Sequence, residues 1–190
     1  MGKSLLISFL LLLLPYGASL ASGPPPASKE YKKANKLFAA AKYQEALSLY
    51  RQALAAPPED VPLSDIHTKI GDSYFRLGLY TNALNAYRSA LLGQKRSERV
   101  QTQYWIGFCC FLSGRDAEAV EEFLKIPEIY PSSGMWVSTA YYWAGRASER
   151  MGRKEQAAEY YKKAGGSSKS TQGRFAMRKA VAVKGEKVGR

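Results

Sequence analysis

The side chains best suited to redox or metal chemistry are scarce in this sequence. Cys109 and Cys110 are its two cysteines, and His67 is its one histidine. An adjacent thiol pair could be oxidised, bind a metal or act as a nucleophile. Neighbours on one helix have poor geometry for bridging each other, however. A zinc site needs about three or four ligands at finger-like spacings, and these residues do not supply them. The cysteines therefore read as small buried apolar residues. His67 has no ligand partner at helical spacing and reads as a packing residue. Glu118, Glu121 and Glu122 could form an acid–base carboxylate pair of the glycosidase kind. They fall in the first two turns of an expected helix, where they complement its dipole instead. No P-loop, Rossmann glycine motif, GxSxG or HExxH occurs. No catalytic residue, metal or cofactor is expected, and the chain reads as a non-enzyme.

The elements that carry these residues come from an ordinary globular composition. The chain has 190 residues, 46% hydrophobic and 23% charged. Lys and Arg outnumber Asp and Glu by 28 to 16, a formal charge of +12. The excess is lopsided. Lys169, Arg174, Arg178, Lys179, Lys184, Lys187 and Arg190 face a single acid, Glu186, in the last stretch. Nucleic acid is the usual partner of such a segment, but the N-terminus argues for export. Anionic lipid head groups, acidic envelope polymers or an acidic protein are then the better partners.

Lys3 precedes an apolar run from Leu5 to Leu14, broken by Pro15 and Gly17. Ser19 and Ala21 suit the −3 and −1 pockets of signal peptidase, so residues 1–21 read as a signal peptide cleaved after Ala21. The apolar run is about half the ~20 residues of a spanning helix. The alternative is an uncleaved membrane anchor. Residues 22–28, SGPPPAS, read as an extended Pro-rich spacer. The mature protein is expected in a bacterial periplasm.

The rest of the chain repeats itself. One phrase recurs as YQEALSLYRQAL, YTNALNAYRSAL, DAEAVEEFLKIP and KEQAAEYYKKAG. Each places an Ala four residues before an aromatic: Ala46 and Tyr50, Ala83 and Tyr87, Ala119 and Phe123, Ala157 and Tyr161. With Ala53, Ala90, Ile126 and Ala164 three residues further on, each set is one helical stripe. The anchor alanines are 37, 36 and 38 residues apart. A second helical phrase precedes each copy and ends at Ala41, Gly78, Gly114 or Gly152, where a left-handed residue would stop one helix and start a tight turn. The unit is helix, turn, helix, four times over. Residues 171–183 read as a further helix that caps the last unit, followed by a basic tail over 184–190.

This pattern resembles the tetratricopeptide repeat family, W-x2-L-G-x2-Y, then A-x3-F, then P, over ~34 residues. Ile70, Gly71, Tyr74, Gly78, Tyr80, Ala83, Tyr87 and Ala90 carry the resemblance best. It covers about residues 27–170, in units near 29–60, 64–96, 100–132 and 138–170. The family Trp is replaced by Glu30, His67, Gln103 and Tyr141. The units also exceed the family length, through longer links or an extra helical turn. The resemblance implies an all-α, right-handed superhelix of four units plus a capping helix. In such arrays the first helices line a concave groove that binds protein or peptide. Carried onto this chain, the groove comprises Thr68, Asp72, Phe75 and Arg76; Tyr104, Phe108, Phe111 and Leu112; and Tyr142, Arg146, Glu149 and Arg150. Aromatics in the third unit beside Arg76, Arg146 and Arg150 suit a partner with acidic groups. A tightly curled array would instead bury those aromatics as core. By the same register Cys110 faces the core. The phrases YPSS and STAYYWAGRASERMGRKEQAAEYYKKA resemble the periplasmic branch, the outer-membrane assembly lipoprotein and the Tol–Pal cell-division coordinator. The lipobox of the first and the coiled coil of the second are missing. The expected function is an exported adaptor. The alternative is a structural envelope protein that binds anionic surfaces through its basic C-terminal segment.

Overall fold

The computed structural model describes residues 26–166, 171–183 and 185. The expected signal peptide over 1–21, residues 22–25 of the expected spacer, 167–170, 184 and the tail from 186 lie outside the described residues. Nine helices make up nearly all of the described chain: α1 (Pro26–Ala39), α2 (Tyr43–Ala55), α3 (Leu63–Arg76), α4 (Tyr80–Gly93), α5 (Arg96–Leu112), α6 (Asp116–Ile129), α7 (Gly134–Arg150), α8 (Lys154–Gly166) and α9 (Thr171–Val183). Among these residues none is long and apolar enough to cross a membrane. The spacer ends earlier than expected, because residues 26–28 form the first turn of α1. A proline suits that position, since the amide hydrogen it lacks has no helical acceptor there.

Each helix packs against the one before and the one after it. Within a pair, an aromatic of the second helix lies flat on a small residue of the first. A Cβ built on Gly71 would come 2.7 Å from the Tyr87 ring, and one on Gly107 or Gly145 would come 2.8 Å from Phe123 or Tyr161. Only glycine admits these crossings without moving a buried ring. The aromatics are fully buried with Ala46, Ala83, Ala119 and Ala157 beside them. Cys109 and Cys110 belong to the same core.

The turn inside each pair closes in one way. Gly78, Gly114 and Gly152 have φ of 74°, 76° and 75°. The Gly78 N–H bonds to the Phe75 carbonyl at 3.0 Å and the Leu79 N–H to the Tyr74 carbonyl at 2.9 Å. These reverse bonds satisfy carbonyls that the ending helix leaves open. The first unit makes the same turn with Ala41 at φ 59°. The extra length of the later units is an added helical turn: α5 and α7 have 17 residues where α3 has 14. At the far end α9 lies on α8, with Ala176 and Ala180 buried. Lys179 reaches Glu149 of α7 at 3.3 Å.

Candidate functional site

The first helices of the units carry a row of aromatic contacts that links one unit to the next. Phe38, Phe75 and Phe111 stand three residues before the turn residues Ala41, Gly78 and Gly114. Each is covered by a residue two positions before the small residue of the next unit. Lys69 lies 5.5 Å from the Phe38 ring centroid. Trp105 meets Phe75 edge-on at 5.0 Å, and Trp143 meets Phe111 at 5.1 Å. Phe108 stacks between them, 6.0 Å from Phe75, 6.3 Å from Phe111 and 4.7 Å from Trp143. Tyr104 adds a further layer on Phe108 at 5.7 Å and touches Trp136 at 5.4 Å.

This layer corrects one expectation. Phe111 is not an exposed anchor; it is 8% exposed, with both Trp143 and Arg150 of α7 packed against it. Phe75, Tyr104 and Phe108 are half-buried, and Leu112 is exposed at the edge. Arg150 does not stand free on a rim either. Its guanidinium lies 3.9 Å from the Phe111 centroid and donates to the Asp116 carboxylate and to the Phe111 carbonyl oxygen. Glu149 accepts a hydrogen bond from the Tyr161 hydroxyl at 2.6 Å and pairs with Lys179. Burial alone would raise its carboxyl, but Tyr161 and Lys179 outweigh that and hold it below the usual glutamate value. It ties α7, α8 and α9 together. Arg146 sits over the Trp143 ring at 5.8 Å and 4.0 Å from Glu149. Tyr142 packs on Trp143 at 5.5 Å and on Phe175 at 6.0 Å. Arg76 is exposed.

Open space lies further toward the N-terminus. A cavity of about 330 Å³ is walled by the first helices of three consecutive units, with Tyr31 on α1, Thr68 and Asp72 on α3, and Gln101 and Trp105 on α5. A second recess of about 240 Å³ shares Asp72, Gln101 and Trp105 and adds Phe75 and Arg76. Thr68, Asp72, Phe75 and Arg76 of the expected groove thus line two recesses that share walls. Tyr31, Asp65, Lys69, Gln94, Glu98, Gln101 and Trp105 were not expected there. Trp105 and Trp143 do carry a sequence signal, since each stands two residues before its unit's glycine.

Asp72 is the best-buried acid of this space. Burial pushes its carboxyl up, while the Tyr87 hydroxyl, Lys69 and Arg76 pull the other way without cancelling the rise. The Tyr87 hydroxyl donates to Asp72 Oδ1 at 2.8 Å, and Lys69 Nζ lies 3.9 Å from Oδ2.

The other residues weighed for chemistry are structural. Both cysteine thiols are free, buried and pushed up to about 12, mainly by burial. A neutral thiol is a poor nucleophile and metal ligand. His67 is half-buried, and burial lowers its pKa. Glu118 and Glu122 form a clasp on the second helices, where Arg88 of α4 reaches them at 2.8 and 3.1 Å. Gln103, in place of the family Trp, donates to Glu122 Oε2 at 2.8 Å, and Lys125 reaches the same oxygen at 2.8 Å.

Tetratricopeptide repeat models match residues 68–134 and 138–164. Those two segments carry tetratricopeptide repeats. The chain is 30% identical over 92 residues to the human protein O-mannosyl-transferase TMTC2, a match that covers 48% of this chain and 11% of that protein. The chain therefore spans about a tenth of that relative's length. Among solved structures, the apo form of RapI superposes with a TM-score of 0.70 at 18% identity, over 84% of this chain and 64% of that one. YrrB, a tetratricopeptide repeat protein with an unusual peptide-binding site, superposes with a TM-score of 0.65 at 22% identity, over 80% of this chain and 74% of that one. At these identities the likeness is one of fold, an all-α superhelical repeat array.

Proposed function

We propose that this is an exported, non-enzymatic adaptor that binds a protein or peptide partner in the cell envelope along the face lined by its first helices. The observation that carries the reading is the pair of adjoining recesses walled by α1, α3 and α5, with half-buried aromatics among their linings. Buried aromatic surface and a few fixed polar groups are what a peptide needs for affinity and register. YrrB has a peptide-binding site on a similar fold, which supports the same use here. Export and a periplasmic address rest on the N-terminal sequence. An acidic partner segment would meet the exposed Arg76, since Arg146 already faces Glu149 and Arg150 is paired with Asp116.

A second reading places binding in the basic C-terminal segment, toward anionic surfaces. Arg174 and Arg178 are exposed on α9, which favours it. Two variants separate the readings. Gln101→Arg puts a bulky charge into the recess from an exposed position. Arg174→Ser with Arg178→Ser, Lys184→Ser, Lys187→Ser and Arg190→Ser strips the C-terminal segment of most of its positive charge. Capture from an envelope extract, quantified against the unaltered protein, decides between them. A groove binder loses its partner with the first variant and keeps it with the second. The reverse outcome overturns the groove reading.

A further inference from the structure

We infer that the recess between α1, α3 and α5 is a subsite for an arginine side chain of the partner, a conclusion that rests on the groove being the binding surface. The first observation is its charge. Asp65, Asp72 and Glu98 all line it, against Lys69. This acidic pocket sits on a chain of net charge +12. A cation is attracted to the pocket and an anion is not.

The second observation is independent of charge. Gln94, at the end of α4, is 7% exposed and lines the same cavity. The Thr68 hydroxyl donates to the Ser64 carbonyl at 2.8 Å, so its oxygen is left to accept. Gln94 must therefore present Nε2 to it, and does so at 3.1 Å. That bond fixes the amide and leaves Oε1 as a buried acceptor with no partner among the described residues. Buried acceptors are normally satisfied, and a donor brought by a ligand would complete this one.

The walls choose the cation. Tyr31 and Trp105 line the cavity, and aromatic rings attract cations. Asp72, already raised by burial, gains a counter-charge when a cation enters. Among the described residues no three acidic, Cys or His side chains converge closely enough to share a metal ion. Acceptors spread around a cavity suit a planar group with five donors better than a point charge. Guanidinium has that form, and Lys69 already supplies the point charge 3.9 Å from Asp72.

The test uses acetyl-Gly-Gly-Arg-Gly-Gly-amide, with citrulline, lysine and glutamate versions as controls. The full chain, labelled with nitrogen-15, is titrated at millimolar concentrations. The indole N–H signals of Trp105, Trp136 and Trp143 are followed. The arginine peptide should shift Trp105 and leave Trp136 and Trp143 in place. Citrulline keeps the shape and loses the charge, so it should not shift Trp105. Asp72→Asn, which still accepts from Tyr87, should weaken binding roughly tenfold. Gln94→Met, which removes the acceptor, should weaken it severalfold with an unchanged circular dichroism spectrum. Equal shifts from arginine and citrulline, or a preference for the glutamate peptide, would overturn the subsite while leaving the groove reading intact. So would an unmoved Trp105 with the arginine peptide. The groove reading itself stands or falls on the Gln101→Arg capture.

Discussion

Trp143 lies edge-on to Phe111, with ring centroids 5.1 Å apart and planes at 62°. The two residues belong to different repeats. Their contact closes the third unit's aromatic face against the fourth and turns an expected binding surface into part of the packing between units. Phe111→Ala should therefore cost about 3–5 kcal/mol of stability, as for a buried aromatic. A melting curve measures it. A melting temperature close to that of the unaltered protein would return Phe111 to the exposed groove.

Gly107 faces Phe123 so closely that a methyl group would sit 2.8 Å from the ring. Phe123 is fully buried and has no room to retreat. Gly107→Ala gains helix propensity, about 1 kcal/mol, but overpacking costs about 1–3 kcal/mol. Net destabilisation is expected, and Gly107→Leu should be worse. Urea unfolding with an unchanged slope would report it. A stabilised Gly107→Ala would show that α5 and α6 can shift apart at little cost.

Ala41 holds a left-handed conformation, φ 59°, at a turn where the other units use glycine. The conformation costs an L-residue about 1–2 kcal/mol. Glycine gives back about 0.4–1 kcal/mol through the unfolded chain. Ala41→Gly should therefore stabilise by about 0.5–1 kcal/mol. A rise in melting temperature of the first pair is the expected sign.

Glu122 is 6% exposed and sits among Arg88, Gln103 and Lys125. Burial favours its neutral form, but these hydrogen bonds prevail and hold its carboxyl below the usual glutamate value. A carboxyl lowered on folding stabilises above its unfolded pKa, and that share is lost as pH falls through the folded value. The stability curve should thus fall as pH drops below the usual glutamate range. Glu122→Gln should flatten that part of the acid limb. At neutral pH it should cost about 1.5–3 kcal/mol, the worth of hydrogen bonds to a charged group. Unfolding midpoints for both proteins across pH would show it; parallel acid limbs would contradict it.

Cys109 and Cys110 should be inert in the folded chain, since burial keeps both thiols protonated. Alkylation with iodoacetamide should proceed only on unfolding, at a rate that follows denaturant. Cys109→Ala with Cys110→Val should fold and keep its partner. Fast labelling of the native chain would place a thiol at the surface.

The repeat was legible because the forces behind it are local. An Ala and an aromatic four residues apart share a face whatever surrounds the helix, so Ala83 and Tyr87 announced a packed second helix by themselves. Gly78, Gly114 and Gly152 marked the turns because few residues adopt positive φ. Gly71, Gly107 and Gly145 marked the close crossings for the same kind of reason, since the aromatic that fills each lies in the same unit. Register also put Cys110 in the core. What register alone left open was how far one unit slides over the next. Phe108 and Phe111 share a face of α5 and both meet Trp143, more than thirty residues on, yet Phe111, with Arg150 also over its ring, is buried and Phe108 only half so. The same offset pairs Arg150 with Asp116 and removes it from the rim. It also gathers Asp65 and Asp72 from one helix and Glu98 from another around one cavity, where Gln94 is left with an open acceptor. Periodicity reports which way a side chain points. Whether a neighbouring unit then covers it, or leaves space in front of it, is a property of the stacked array.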